Sequence, residues 1–414
     1  MKQLNASGLG AVRMLAQVPP RTWKVFTICL IGVTFANLDH SLFTFVLTEI
    51  SEKFGWSVVE RGRYIAITFV ISGLLVTQIG VLTDRIGRRR TLLGATLLTP
   101  IFVAAMAWAP NTLILLVLRT LGFGAAGAQS PITVTTVIEE SPSRLRGLFS
   151  GVLQIGFPLG FFLASLMVPF IYSTWGWQYI FLLALLFLPY GWIIYRYLQE
   201  PEAWLKVRDA RKATNAKHPT TRDLFAPVYR RRTILLFIGQ FLCVFAFGAT
   251  ILLTAYFRES KGWDAELAIQ TVGLSFGVGA FGYVAAAFVG EFLTSRRNTI
   301  VIWCILGGLA FAAMIWLTNG YTQIVLAFCT MTFFFYGSYA VVATFIAENF
   351  PSELRATATT FSGALAVNLG LGLGPLVLSE IIPIAGWEWG FTWSAVLPVI
   401  LAGLIFLTLK PVPR

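Results

Sequence analysis

Twelve stretches of predominantly apolar residues follow one another along this chain of 414 residues, each about 20 residues long and able to cross a hydrocarbon core of roughly 30 Å. They centre near Gly32, Gly73, Val103, Ala125, Phe161, Leu186, Val244, Gly279, Gly308, Phe334, Asn368 and Leu401. Backbone inside a bilayer must satisfy its own hydrogen bonds, which only helices and closed barrels achieve. The windows lack the short alternating segments of an outer-membrane barrel, so the pattern predicts an all-α integral membrane protein. Charged residues make up 12% of the chain, about half the share expected in a soluble domain. The first window has no short apolar core followed by a small-residue cleavage site, and is expected to be a retained helix.

The basic residues orient the helices, because short loops rich in Lys and Arg stay on the cytoplasmic side. With the N-terminus placed there, the tails and even-numbered connections hold 25 of the 31 Lys and Arg residues. They include Arg85, Arg88, Arg89 and Arg90, and ten residues between Arg196 and Arg232. The opposite loops hold Lys53, Arg61, Arg63, Arg258 and Lys261, and Arg119 lies inside the fourth window. Both termini are therefore expected in the cytoplasm, with the chain in a plasma (bacterial inner) membrane. A net charge of +12 would suggest a nucleic-acid partner for a soluble protein; here the positive-inside distribution accounts for it. Cys29, Cys243, Cys304 and Cys329 all fall in apolar windows, which gives no support to a metal cluster or disulfide.

The longest polar stretch, Glu200 to Arg232, separates six windows from six. This predicts an N-terminal bundle over residues 1–199, a cytoplasmic linker over 200–232 and a C-terminal bundle over 233–414. Three landmarks recur at nearly constant offset. "EESPSRLR" (Glu139, Pro142, Arg146) returns 209 positions later as "ENFPSELR" (Glu348, Pro351, Arg355), and "WQYIF" (Trp177, Phe181) returns 210 positions later as "WEWGF" (Trp387, Phe391). Such coincidence indicates duplication, and six helices per copy give both halves the same membrane orientation.

"GVLTDRIGRRR", Gly80 to Arg90, joins a helix to a basic turn. It resembles the loop 2–3 signature of the major facilitator superfamily, in which two six-helix halves are related by a pseudo-two-fold axis along the membrane normal. The resemblance implies a cytoplasmic latch for Asp84 and Arg88. In the second half, "EFLTSRRN" carries Ser295 where Asp84 would fall. Glu139 with Arg146, and Glu348 with Arg355, suggest a second latch that forms between the bundles; surface pairing of little energetic weight is the alternative, and the duplication favours the gate.

The run from Arg119 through "EESPSRLRG" to "QIGFPLG" resembles the helix 4 to helix 5 passage of the sugar porters and of the metabolite and aromatic-acid proton symporters. "LDHSLF" is similar to their helix 1, and "EPEAWL" to a shortened form of their Pro-Glu-Ser-Pro motif. In proton-coupled members a helix 1 Asp pairs with a helix 4 Arg, which implies Asp39 and Arg119, and a helix 5 Gln contacts substrate, which implies Gln154. Asn37 stands in "ANLD", where aromatic-acid symporters often carry Asp-Gly-x-Asp. Only the second acid is kept.

An ionisable residue at membrane depth is functional by default. Burial disfavours a charged carboxyl and a nearby guanidinium favours it, so the protonation of Asp39 can follow the approach and withdrawal of Arg119. Arg does not usefully deprotonate, and Asp39 is the expected proton carrier. His40 is either a relay or a residue bonded to a neighbouring helix, since one step along a helix turns it about 100° from Asp39. Gln240, Tyr336, Tyr339 and Asn368 are isolated polar residues of the second half and candidate substrate contacts. Phe43, Tyr64 and Phe276 are candidate apolar walls.

Together these features predict a proton-coupled secondary transporter, a monomer in the bilayer, that imports a small organic anion such as an aromatic or small carboxylic acid, with no cofactor beyond the coupling proton. A drug or metabolite exporter, a sugar-type porter and a non-transporting sensor on the same fold are the alternatives. Helix 5 carries Gly147 and Gly156 at the antiporter spacing, but its later Gly-Pro element is broken. The windows contain no nucleophile–base pair or phosphate loop, and no enzyme is predicted.

Overall fold

The computed structural model describes residues 15–142, 145–200 and 221–411, so most of the predicted linker lies outside the described residues. Among the described residues the regular secondary structure is all helical. Helix α1 (Pro20–Phe45) opens with proline in its first turn, where the missing N–H costs nothing. Helix α2 (Val58–Ile86) begins at a reciprocal capping box between Ser57 and Glu60. Then come α3 (Arg88–Ala105), α4 (Thr112–Glu140), α5 (Arg146–Trp175) and α6 (Trp177–Tyr197). The second half holds α7 (Arg230–Glu259), α8 (Ala265–Leu293), α9 (Arg296–Trp316) and α10 (Tyr321–Glu348). The last apolar run, Phe361–Leu407, is broken at Gly386, whose φ of 84° and ψ of 175° are non-helical. It therefore supplies two helices, α11 (residues 361–385) and α12 (residues 387–407).

The duplication is visible in backbone detail. Gly176, which turns the chain from α5 into α6, has φ 95°, and Gly386, 210 positions later, makes the same turn between α11 and α12. Arg146 donates from Nε to the carbonyl of Ser141 at 3.4 Å, and Arg355 donates to that of Phe350 at 3.1 Å. Each arginine thus covers a carbonyl left over at a helix C-terminus. Close helix crossings repeat too. A Cβ on Gly160 of α5 would lie 2.6 Å from the Leu38 nitrogen of α1, and one on Gly370 of α11 would lie 2.7 Å from the Phe245 nitrogen of α7. Within each half, α1 packs on α5 and α3 on α4, as α7 packs on α11 and α9 on α10. Two seams join the halves, α2 against α11 and α5 against α8.

Glu200, just past α6, anchors one end of this frame. Its carboxylate accepts the backbone N–H groups of Arg88 at 2.8 Å and Arg89 at 3.1 Å. These are orphan donors at the N-terminus of α3, where an anion is favoured by the helix dipole. Glu200 thereby ties the end of helix 6 to the basic turn after helix 2. Glu200→Ala is expected to destabilise the protein by about 1 kcal/mol, in the range of a lost N-cap, seen as a lower thermal midpoint in detergent.

Candidate functional site

The centre of the molecule is built where α1 and α5 cross. Gly156 and Gly160 bring α5 onto the α1 backbone between Val33 and Leu38, and this contact fixes the rotation of α1 just before Asp39. Asp39, His40 and Arg119 are only 4%, 6% and 5% exposed, so their contacts are with the protein and not with lipid headgroups or bulk water. The expected Asp39–Arg119 ion pair is not what forms. Arg119 Nη2 instead lies 2.8 Å from His40 Nδ1, while Asp39 Oδ1 is buried with no hydrogen-bond partner. The reason is rotational: the residue of α1 that turns its side chain to Arg119 is His40, one step beyond the acid.

That bond also assigns a proton. A guanidinium only donates, so Nδ1 accepts and the proton of the neutral ring sits on Nε2. Adding a proton at Nδ1 and keeping the Arg119 bond exclude each other. Arg119 is further held over the face of Phe43, 4.2 Å from its centroid, and beside Phe123 at 5.4 Å. Phe43 is thus a cation–π platform more than an apolar wall. The site holds a buried cation whose hydrogen-bond partner is a neutral ring, with an unsatisfied carboxylate oxygen on the adjacent residue.

The remaining candidates separate into two groups. Phe276 and Tyr336 belong to the central cluster, stacked at 4.8 Å, and the Tyr336 hydroxyl donates to Thr250 Oγ1 at 2.8 Å. Phe247 of α7 stacks on Tyr339 at 5.8 Å, and Gln240 Oε1, on the same helix, is buried without a partner. Gln154 sits at the break in α5 between the segments Arg146–Leu153 and Gly156–Trp175. Three candidates bond or pack locally. Asn37 donates to the Val33 carbonyl of its own helix at 2.7 Å. Asn368 donates to the Ala364 carbonyl at 2.9 Å and packs against Gly73 in the α2–α11 seam. Tyr64 lies near the start of α2 against Trp56, centroids 4.7 Å apart.

The two latches expected at the face where α1 begins and α12 ends are assembled differently. Glu139 accepts from Arg88 at 3.3 Å, and Glu348 from Arg296, so the pairs described for these glutamates are inside their own halves and with arginines other than Arg146 and Arg355. Arg296 also holds Glu291 at 2.5 Å, so the second half has an acid beside its basic turn after all, four positions before Ser295, which caps α9. The Asp84 side chain lies outside the described residues. Between the halves on this face, Ser150 and Thr344 hydroxyls are 3.2 Å apart.

Among the described residues, three ion pairs between the halves lie at the opposite face. Glu49, at the end of the first membrane segment, accepts from Arg258 at 2.5 Å and from the Tyr172 hydroxyl at 2.9 Å. Arg61 pairs with Glu259, and Arg63 with Glu380 at 2.9 Å. Sequence reasoning missed this set, though it left a signal: Arg61, Arg63 and Arg258 are among the five basic residues that break the positive-inside pattern. Each has an acid of the other half to hold.

Comparison with known proteins agrees with this architecture. The sequence pattern of the Major Facilitator Superfamily matches residues 29–375. The chain is 24% identical to the niacin transporter of Acinetobacter baylyi, over 85% of this chain and 85% of that protein. It is 26% identical to a gallate transporter of Pseudomonas putida, over 86% and 88%. Among solved structures, the human organic anion transporter MFSD10 superposes with a TM-score of 0.75 at 18% identity, covering 94% of this chain and all of the other. A D-xylose-proton symporter gives 0.74 at 16%, covering 94% and 98%. With twelve helices in two like halves, a central buried cation and a family match over most of its length, this chain is an integral membrane transporter that belongs to the major facilitator superfamily.

Proposed function

We propose that the protein is a proton-coupled symporter that imports a small organic anion, an aromatic or small carboxylic acid, by alternating access. The observation that carries the substrate class is Arg119. A guanidinium buried at membrane depth, donating to a neutral imidazole and lying over Phe43, has no carboxylate in its hydrogen-bond shell, and an incoming carboxylate supplies one. A neutral sugar would bring no charge to pair with it. The relatives' named substrates, niacin and gallate, are ring acids. In this scheme Asp39 carries the proton, His40 positions Arg119, and the ion pairs between halves close the external side. The molecule works as a monomer in a plasma (bacterial inner) membrane with both termini cytoplasmic.

The test is uptake by proteoliposomes of purified protein under a pH gradient, acid outside. A labelled carboxylate such as nicotinate or benzoate is expected to accumulate, with xylose or glucose left at background. Gradient-driven accumulation of the sugar alone, or exclusion of the acid from intact expressing cells, would overturn the assignment.

A further inference from the structure

The densest group of aromatic rings lies between the halves, beside the cation. Phe161 of α5 stacks on Phe276 of α8 with centroids 4.4 Å apart and planes 18° from parallel, and Phe276 stacks in turn on Tyr336 of α10 at 4.8 Å and 18°. Phe157, one turn before Phe161, edges both Phe276 at 5.7 Å and Phe247 at 4.8 Å. On its other side Phe161 meets the His40 ring at 5.8 Å, and His40 holds Arg119. The order across the molecule is therefore cation, imidazole, Phe161, Phe276, Tyr336. The Phe161–Phe276 step is where the two halves meet.

We infer that Phe161 and Phe276 are the two walls of a slot that takes the planar ring of the substrate, so that the transporter selects aromatic acids over saturated acids of equal charge and size. This rests on the organic-anion assignment above and adds the group that reads the rest of the molecule. The physical reason is a count of ring faces. Any ligand that enters between the halves must part the pair and uncover one face on each ring. A flat aromatic guest covers both faces again and so exchanges one stacking contact for two, with rings in offset or near-parallel contact. A saturated ring has the bulk but no π face, and recovers area alone. The carboxylate of such a guest leaves the slot at its edge, and reaches the hydrogen-bond shell of Arg119 by passing the rim of Phe161, beyond which His40 and Arg119 lie.

Each stacking face is expected to be worth about three- to tenfold in affinity. The probes are benzoate and cyclohexanecarboxylate, which share a charge and nearly share a size, measured by equilibrium binding and by pH-driven uptake. The wild type is expected to prefer benzoate. Phe161→Leu and Phe276→Leu should each weaken benzoate by about three- to tenfold while leaving the saturated acid nearly unchanged, and Phe276→Tyr, which keeps the ring, should retain the preference. Thermal midpoints in detergent check that each variant folds. Equal loss for both acids in the Leu variants, or a wild type with no preference between them, overturns the slot and leaves organic-anion transport standing. A wild type that binds and moves neither acid overturns the anion assignment, and the slot falls with it.

Discussion

Asp39→Asn is expected to abolish accumulation against a gradient while leaving exchange of labelled for unlabelled substrate across the same membrane. One proton moving down one pH unit releases about 1.36 kcal/mol, so a symporter coupling one proton to one monovalent anion concentrates its substrate about tenfold per unit of gradient. Asn has the shape of Asp39 and no site for the proton, and its accumulation ratio should fall to unity. The buried, unpartnered Asp39 Oδ1 explains why exchange should survive: no hydrogen bond to that atom is lost that the closed structure depends on. His40→Gln supplies the contrast. His40 accepts from Arg119 at 2.8 Å, and its loss frees the guanidinium to shift, so substrate affinity should drop while the accumulation ratio stays near that of the wild type. If Asp39→Asn still concentrates substrate and His40→Gln does not, the imidazole is the carrier.

The contrast also shows how much of the site could be read before the structure. The run "FANLDHSLF" placed an acid and an imidazole inside the first membrane helix, and Arg119 inside the fourth, from hydropathy alone. Which of the two neighbours meets Arg119 depends on the rotation of α1. That rotation is set by Gly156 and Gly160, more than a hundred residues away, whose missing side chains let α5 lie against the backbone from Val33 to Leu38. Nothing local to residues 35–45 encodes it. Asn368 and Tyr64 illustrate the same limit, since a polar or aromatic residue in an apolar helix says nothing about which neighbour it faces, and Asn368 faces Gly73. The duplication was legible for the opposite reason. Turns are encoded by adjacent residues, so Gly176 and Gly386, or Arg146 and Arg355, repeat in sequence and in geometry together. The ion pairs between the halves fall between these cases. Their arginines stand out against the positive-inside rule, but their partners, Glu49, Glu259 and Glu380, are separated from them by roughly two to three hundred residues, and only the packed halves bring them together.

Gly273→Ala is expected to prevent the α5–α8 seam from closing, and Ser165→Gly in the same chain is expected to restore it. In the structure a Cβ on Gly273 would lie 1.6 Å from Ser165 Oγ and 2.0 Å from its Cβ, distances at which atoms cannot coexist. The pseudo-symmetric α2–α11 seam repeats the device, with a Cβ on Gly62 falling 1.8 Å from Ser379 Oγ. The Gly62–Ser379 contact adjoins Arg61–Glu259 and Arg63–Glu380 in sequence, and one methyl group at Gly273 wedges apart the matching seam, which in the proposed alternating-access cycle shuts for the centre to open to the other side. Interior packing does not absorb such an overlap without moving helices. Transport by Gly273→Ala should therefore fall at least tenfold, and spin labels at Ser173 of α5 and Glu266 of α8 should report a longer distance. With Ser165→Gly added, the nearest remaining atom is Ser165 Cα at 3.5 Å, ordinary van der Waals contact. The glycine costs about 1 kcal/mol of helix stability, but transport and the label distance should return toward the wild type. If Gly273→Ala transports normally, the seam does not need to close this tightly in the working cycle. If it fails and Ser165→Gly does not rescue it, the defect lies elsewhere than in this contact.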